Sequence, residues 1–131
     1  MLTNIFVYGT LMFEPVWRQV TGCFHKSQKA ILAGYERKSV KGQVYPVLIP
    51  SIKPVKLDGL VYFDINEEVL YKLDYFEGEV YSREKIKVKI SGGKDINAQT
   101  YVLKTEYYRI IDDNIWDPLR FKREHMVLFL K

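Results

Sequence analysis

Short β-branched and aromatic segments, each ended by glycine or a turn sequence, recur along most of this 131-residue chain. Such segments are typical of buried or half-buried strands. We predict strands within residues 5–8, 24–40, 55–63, 85–90 and 98–103. Only two helices are predicted, residues 15–21 and the segment ending at Gly78. Because strands outnumber helices, an α+β fold is favoured over a doubly wound sheet.

Two strand segments have distinctive patterns. In residues 85–90, lysines alternate with apolar residues, which predicts a half-exposed strand. Residues 91–94 then form a turn, and residues 98–103 return antiparallel. The apolar segment 45–50 contains a proline near each end, so we expect it at a sheet edge or in a loop that lines a pocket.

Composition predicts one compact domain over residues 1–131. The chain is 47% hydrophobic and 15% aromatic, far from the composition of disordered proteins. It has no apolar run near 18 residues, and its first residues lack the pattern of a signal peptide, so we expect no membrane association. Cys23 is the single cysteine and forms no intramolecular disulfide. A reducing, cytoplasmic location is therefore expected.

The first predicted strand stops at Gly9, which indicates a turn directly after Tyr8. Glycine here permits positive φ or the close approach of a ligand. The amides of Gly9, Thr10 and Leu11 are then able to face a concavity that favours a carboxylate or an oxyanion. An ordinary connecting turn is the alternative, since glycine is a common way to leave a strand.

The second predicted helix has an unusual glutamate. Asp64 or Asn66 would cap its start, and Gly78 would end it. At about 100° per residue, Glu77 falls on the apolar stripe of this helix, at its rim with solvent. The stripe consists of Val69, Leu70, Leu73 and Phe76.

A carboxyl group in that position is a candidate acid–base catalyst. Desolvation disfavours its charged form and moves its pKa toward neutrality, as general acid–base chemistry requires. The alternative is a last-turn glutamate that turns outward or pairs with Arg83. From the residues alone, neither interpretation is preferred.

Other chemistries have less support. Cys23 and His25 would share one face of a strand, but a small buried cysteine is the more common case. The two histidines lie in no ligand-spaced cluster, so no metal site is predicted. A net charge of +4 and the Lys85, Lys87, Lys89 row permit nucleic-acid binding, yet no binding motif accompanies them. Exposed lysines also blunt strand pairing, so this alternative is disfavoured.

Several blocks, in a specific order and spacing, resemble the γ-glutamylcyclotransferase-like superfamily, in the branch of the plant avirulence-induced proteins. The resemblance covers about residues 4–103. Its blocks are Val7-Tyr8-Gly9-Thr10-Leu11-Met12, Leu32-Ala33-Gly34-Tyr35, Val40-Lys41-Gly42 with Tyr45-Pro46, Asp58-Gly59-Leu60-Val61, Leu73-Asp74-Tyr75-Phe76-Glu77-Gly78 and Tyr81-Ser82-Arg83.

The resemblance implies a small mixed β-barrel with a few short helices and a pocket at one end. It implies that Glu77 is the catalytic acid–base residue, with a substrate-binding loop from Tyr8 through Gly9 and Thr10 to Leu11. Tyr45 and Tyr81 are further candidates to line the substrate pocket. The implied reaction releases 5-oxoproline and an amine from a γ-glutamyl compound and uses no cofactor and no metal.

A binding module on the same fold, for a small molecule or a protein, is the main alternative function. An open cavity containing Glu77 beside the Gly9 loop would favour the enzyme, whereas a site sealed by Tyr45 or the C-terminal segment would favour the module. We expect a monomer or a weak homodimer. The sequence leaves residues 104–131 open, since the apolar run 126–130 permits a barrel strand, a helix or a subunit contact.

Overall fold

A closed five-stranded barrel forms the centre of the protein in the computed structural model, which describes residues 1–131. Its strands follow the order β1-β5-β2-β6-β7, and a separate sheet has the order β4-β3-β8. The eight strands are β1 Thr3–Val7, β2 Ser27–Ala33, β3 Tyr35–Val40, β4 Pro46–Pro50, β5 Lys56–Ile65, β6 Tyr81–Lys89, β7 Asp95–Leu103 and β8 Ile111–Asp112.

Several helices pack against this framework. Four segments are α-helical, three are 3₁₀-helical, and residues 121–125 form a π-helical turn between the last two α-helices. The α-helices are α1 Glu14–Thr21, α2 Glu67–Glu77, α3 Pro118–Arg120 and α4 Met126–Phe129. The predicted α+β class and small mixed barrel are confirmed. No helix has both the length and the apolar character needed to span a membrane.

The barrel closes between β1 and β7, the single parallel pair among its strands. The predicted antiparallel return after β6 is confirmed, since β6 and β7 pair continuously from Tyr81 opposite Leu103 to Lys89 opposite Asp95. The alternating burial of β6 also confirms its half-exposed character. β2 begins at Ser27, however, so Phe24 is not part of a strand; its side chain is exposed.

β1 contributes to two hydrophobic clusters because its side chains alternate in direction. Phe6 and Tyr8 belong to the cluster that β1 shares with Val61 of β5 and other barrel strands. Ile5 and Val7 belong to the cluster that the barrel shares with the helices. The end of β1 is thus held on both faces, which fixes the loop that follows it.

The structure confirms the two predicted helices and decides which residue caps α2. α1 has proline in its first turn and ends at Gly22, which has a positive φ of 73°. Asn66, not Asp64, caps α2: its Oδ1 accepts a hydrogen bond from the Val69 amide at 2.9 Å. Gly78 ends α2 with φ 83° and an extended ψ of −176°, so its backbone is not left-handed helical.

The C-terminal segment packs onto the barrel instead of extending away from it. Trp116 and Phe121 are buried, and the Trp116 indole donates a hydrogen bond to the Val44 carbonyl at 2.7 Å. Of the three possibilities left by the sequence, the apolar run at residues 126–130 is helical. It brings Phe129 back beside the end of β1.

Candidate active site

A cavity of about 300 Å³ lies at the end of the barrel where β1 and β7 finish and β6 begins. This volume is at the lower end of the range for small-molecule sites, about 300–1,000 Å³. The lining residues are Phe6, Val7, Tyr8, Gly9, Thr10, Leu11, Tyr45, Pro46, Phe76, Glu77, Val80, Tyr81, Tyr101 and Phe129.

All seven residues selected from the sequence line this one cavity. They come from the loop after β1, the residue before β4, the last residue of α2 and the first residue of β6. Neither Tyr45 nor the C-terminal segment seals the cavity, although both contribute to its lining. The structure therefore brings the predicted residues together around open space.

Glu77 is the single charged residue of the lining. Burial of its carboxyl group is the largest cause that raises its pKa, and the nearby Asp74 carboxylate adds to the effect; the resulting pKa is about 8. Part of the residue is exposed at the end of the helix, but the carboxyl group borders the cavity. This environment matches the one predicted from the helical periodicity.

Arg83 does not pair with Glu77. Its guanidinium donates to both oxygens of Asp74, with Nε at 2.9 Å from Oδ1 and Nη2 at 3.2 Å from Oδ2. Tyr101 donates a further hydrogen bond from its hydroxyl to the same Oδ1 at 2.6 Å. The alternative in which Glu77 is a surface ion-pair partner is therefore wrong.

Three tyrosines of the cavity have fixed hydroxyl groups. Tyr8 donates to the Tyr101 carbonyl at 2.6 Å, and Tyr81 donates to the Pro46 carbonyl at 3.2 Å. Burial is the largest cause that raises the pKa of Tyr8, Tyr81 and Tyr101, and the Glu77 carboxyl raises each of them further. These hydroxyls therefore stay protonated at neutral pH.

All four carbonyl groups of the loop from Tyr8 to Leu11 accept hydrogen bonds from other groups of the protein. Arg37 donates to the Tyr8 carbonyl at 3.0 Å, and the Tyr62 hydroxyl donates to the Leu11 carbonyl at 3.2 Å. The carbonyls of Gly9 and Thr10 accept bonds from the amides of residues 12 and 13 at 3.0 and 3.2 Å. By contrast, no backbone carbonyl accepts a hydrogen bond from the Gly9 amide. The loop thus has its acceptors occupied and at least one donor free.

Gly9 is required for a different reason from the expected one. Its φ is −130°, so the turn does not use positive φ. A Cβ at this position would lie 2.8 Å from both Cγ and Cδ of Pro46. The close approach that glycine permits is therefore that of the first residue of β4, which also lines the cavity.

The lining or supporting residues that were not selected from the sequence include Asp74, Tyr101, Phe76 and Phe129. Tyr101 lies directly opposite Arg83 in the β6–β7 pair, so the register of that predicted hairpin contained a signal for it. Asp74 lies within a recognised motif block, but its role depends on the position of Arg83. No local signal in the sequence indicates Phe129.

The Cys23 and His25 alternative finds no support in the geometry. The Trp17 indole donates to His25 Nδ1 at 3.1 Å, and its ring stacks on Tyr62 with centroids 3.7 Å apart. The Cys23 side chain is exposed and lies outside the cavity described above. His25 thus helps to hold the Trp17 indole in place.

Solved structures of similar shape show the class of fold. A structure described as a gamma-glutamyl cyclotransferase has a TM-score of 0.69 over 79% of this chain and 68% of its own, at 18% identity. The solution structure of a protein from Arabidopsis thaliana has a TM-score of 0.76 over 98% of this chain and 86% of its own, at 26% identity. The fold is that of the γ-glutamylcyclotransferases.

Sequence comparison places the chain within that class. The family model described as gamma-glutamyl cyclotransferase, AIG2-like, matches residues 5–118. AIG2-like protein D of Arabidopsis thaliana is 37% identical over 98% of this chain and 84% of its own length. The chain belongs to the AIG2-like γ-glutamyl cyclotransferase family. The match extends beyond residue 103, where the resemblance seen in the sequence stopped, and so includes part of the C-terminal segment.

Proposed function

We propose that this protein is a γ-glutamylcyclotransferase. Its substrate is a γ-glutamyl amide whose own α-amino nitrogen attacks the γ-carbonyl carbon. A nitrogen–carbon bond closes the five-membered ring of 5-oxoproline, and the bond from the same carbonyl carbon to the amide nitrogen breaks. One proton leaves the attacking nitrogen and one reaches the departing nitrogen, so the atoms balance without water or a co-reactant.

Glu77 is the residue that moves this proton. Its carboxylate accepts the proton from the α-amino nitrogen, and the resulting carboxylic acid donates it to the leaving amine. A group that must both accept and donate works best with a pKa near the operating pH. The pKa of about 8 supports this role, because an exposed carboxylate would be too weak a base.

The loop from Tyr8 to Leu11 is the proposed cradle for the negative charge of the substrate. Amides such as that of Gly9 are suited to hold the α-carboxylate or the oxygen of the tetrahedral intermediate. The buried, protonated hydroxyls of Tyr8 and Tyr81 and the ring of Tyr45 would complete the pocket around the γ-glutamyl chain. A substrate held in a folded conformer has its amino nitrogen close to the γ-carbonyl, which lowers the entropic barrier to ring closure.

The observation that carries this proposal is the unpaired Glu77 carboxyl in an open cavity beside the loop. A purely structural glutamate at a helix end would be expected to pair with the available arginine, but Arg83 binds Asp74. A binding module on the same fold has no evident need for a carboxyl group with a raised pKa. The geometry therefore favours catalysis over the module.

The test is the release of 5-oxoproline from a panel of γ-glutamyl amides by wild-type protein, Glu77→Gln and Glu79→Gln. Glutamine keeps the shape of Glu77 but cannot carry the proton. Glu79 is exposed and does not line the cavity, so Glu79→Gln is the matched control. We expect release by wild type and the control, with a loss of at least about 10²-fold in Glu77→Gln. No release from any amide, at high concentrations of folded wild-type protein, would contradict the proposal.

A further inference from the structure

The far end of the loop from Tyr8 to Leu11 is held by a hydrogen bond from the barrel. The Tyr62 hydroxyl, on β5, donates to the Leu11 carbonyl at 3.2 Å, and the Tyr62 side chain is buried. Burial is the largest cause that raises the pKa of Tyr62, and the Glu14 carboxylate raises it further, to about 12. The hydroxyl therefore stays protonated, and able to donate to Leu11, at neutral and moderately alkaline pH.

The position of Tyr62 is fixed by the indole ring of Trp17 on α1. The two ring centroids are 3.7 Å apart and the ring planes differ by 10°, so the rings lie face to face. Trp17 is completely buried. Close packing against a buried ring limits the positions that the Tyr62 ring can take. The stack therefore directs the Tyr62 hydroxyl toward the loop.

His25 in turn holds Trp17. The indole Nε1 of Trp17 donates to His25 Nδ1 at 3.1 Å, and the two rings meet edge-on with centroids 5.5 Å apart. An indole nitrogen can only donate, so His25 Nδ1 must be unprotonated. Burial lowers the pKa of His25 from its ordinary value of 6.5, which favours the neutral ring that this bond requires.

These three residues lie outside the cavity that contains Glu77. Trp17, His25 and Tyr62 line a different cavity, of about 430 Å³. Leu11 connects them to the proposed reaction, because it accepts the bond from Tyr62 and also lines the cavity of Glu77. A displacement of the Leu11 carbonyl would thus move the loop whose amides are proposed to hold the substrate.

We propose that Tyr62 is a positioning residue for cyclotransfer and that Trp17 and His25 act through it. His25 orients Trp17, Trp17 orients Tyr62, and the Tyr62 hydroxyl fixes the end of the loop. Fixed amides stabilise the developing negative charge only when they already point to the place where it forms. This inference rests on the proposed function and adds to it three residues that do not touch the substrate.

The first variant removes the hydroxyl and keeps the ring. Tyr62→Phe can still stack on Trp17 but cannot donate to Leu11. We expect kcat for 5-oxoproline release at pH 8 to fall about tenfold per folded molecule, because the loop amides are less well placed in the transition state. Denaturant unfolding measures the folded fraction and the change in stability separately.

A double-mutant cycle then tests whether the three residues act in series. His25→Leu removes the acceptor for Trp17 and should lower kcat about three- to tenfold in wild type, but less than about twofold in Tyr62→Phe. His25→Asn places an oxygen near the position of Nδ1 and should restore most of the loss. His25 is only half-buried, so its variants test the series even if Tyr62→Phe folds poorly. His125→Leu is the matched control, since His125 lines neither cavity.

The outcomes separate this inference from the function on which it rests. A folded Tyr62→Phe variant with the kcat of wild type, or additive effects of Tyr62→Phe and His25→Leu, overturns the positioning series while the cyclotransferase stands. A kcat of His25→Asn no higher than that of His25→Leu overturns the part assigned to His25. Absence of release by folded wild-type protein, from every γ-glutamyl amide of the panel, overturns both proposals.

Discussion

The Arg83 guanidinium donates hydrogen bonds to both oxygens of the Asp74 carboxylate, and Asp74 lies three residues before Glu77 on the same helix. The Tyr101 hydroxyl donates a third hydrogen bond to Asp74. Arg83, the cation near the end of α2, therefore pairs with Asp74, which lies outside the cavity, and not with Glu77. Glu77 is left with burial and a neighbouring negative charge, both of which raise its pKa.

This arrangement predicts the pH dependence of the proposed reaction. As a base, Glu77 must be ionised, and its pKa of about 8 means that the ionised fraction falls about tenfold per pH unit below that value. We expect kcat/KM to rise with pH up to about 8. A kcat/KM that stays flat between pH 5 and 8 would contradict the assignment of Glu77 as the base. The measurement is a pH profile of kcat/KM in which the separately determined titration of the substrate's α-amino group is divided out.

Asp74→Asn should move that profile to lower pH. The substitution removes the negative charge that raises the pKa of Glu77 and leaves Arg83 without its partner, and both changes favour ionised Glu77. The asparagine oxygen can still accept the hydrogen bond from Tyr101. Asp95→Asn, on the opposite end of the hairpin, serves as a control that also breaks an exposed ion pair. A shift to higher pH in Asp74→Asn would refute the stated cause.

The raised pKa of Glu77 also predicts how stability changes with pH. Between the ordinary carboxyl value of 4.5 and about 8, the folded protein holds a proton that the unfolded chain releases. The free energy of unfolding therefore falls as pH rises through this interval, by up to about 1.4 kcal/mol per unit for this one group.

Glu77→Gln lacks this dependence. Denaturant unfolding at pH 5 and pH 9 should show that the variant gains stability relative to wild type at the higher pH. If the difference in stability between Glu77→Gln and wild type were the same at both pH values, folding would not raise the pKa of Glu77.

Gly9→Ala should be destabilising because the new Cβ would lie 2.8 Å from two atoms of the Pro46 ring. Overpacking of this kind costs about 1–3 kcal/mol in the free energy of unfolding. Displacement of Pro46 should also lower 5-oxoproline release, since Pro46 lines the cavity and its carbonyl holds Tyr81.

A double-mutant cycle with Pro46→Ala isolates the contact. If the collision with the ring is the cause, Gly9→Ala should be much less harmful in the Pro46→Ala background. Additive effects of the two substitutions would show that Gly9 is required for some other reason.

Local sequence patterns were sufficient to predict the position of Glu77 on its helix and the hairpin of β6 and β7. The position of Glu77 follows from helical periodicity and from Gly78, both of which act within a few residues. The hairpin follows from alternation on either side of a glycine turn. In both cases the residues that determine the structure are close in sequence.

The remainder of the site depends on contacts that local patterns do not encode. Phe129 reaches the cavity because Trp116 and Phe121 anchor the C-terminal segment on the barrel, more than a hundred residues from the Gly9 loop. The apolar run around Phe129 is compatible with a strand or a helix, and only tertiary packing decides between them. The need for glycine at position 9 likewise arises from Pro46, which is distant in sequence.

The four carbonyl groups of the loop from Tyr8 to Leu11 are bound within the protein before any substrate arrives. A loop fixed in this way loses little conformational entropy when it takes up a ligand. Binding energy is then not consumed in ordering the protein and can be used to bend the flexible γ-glutamyl chain into its reactive shape. The conformational entropy of the loop is thus lost when the chain folds, and not when the substrate binds.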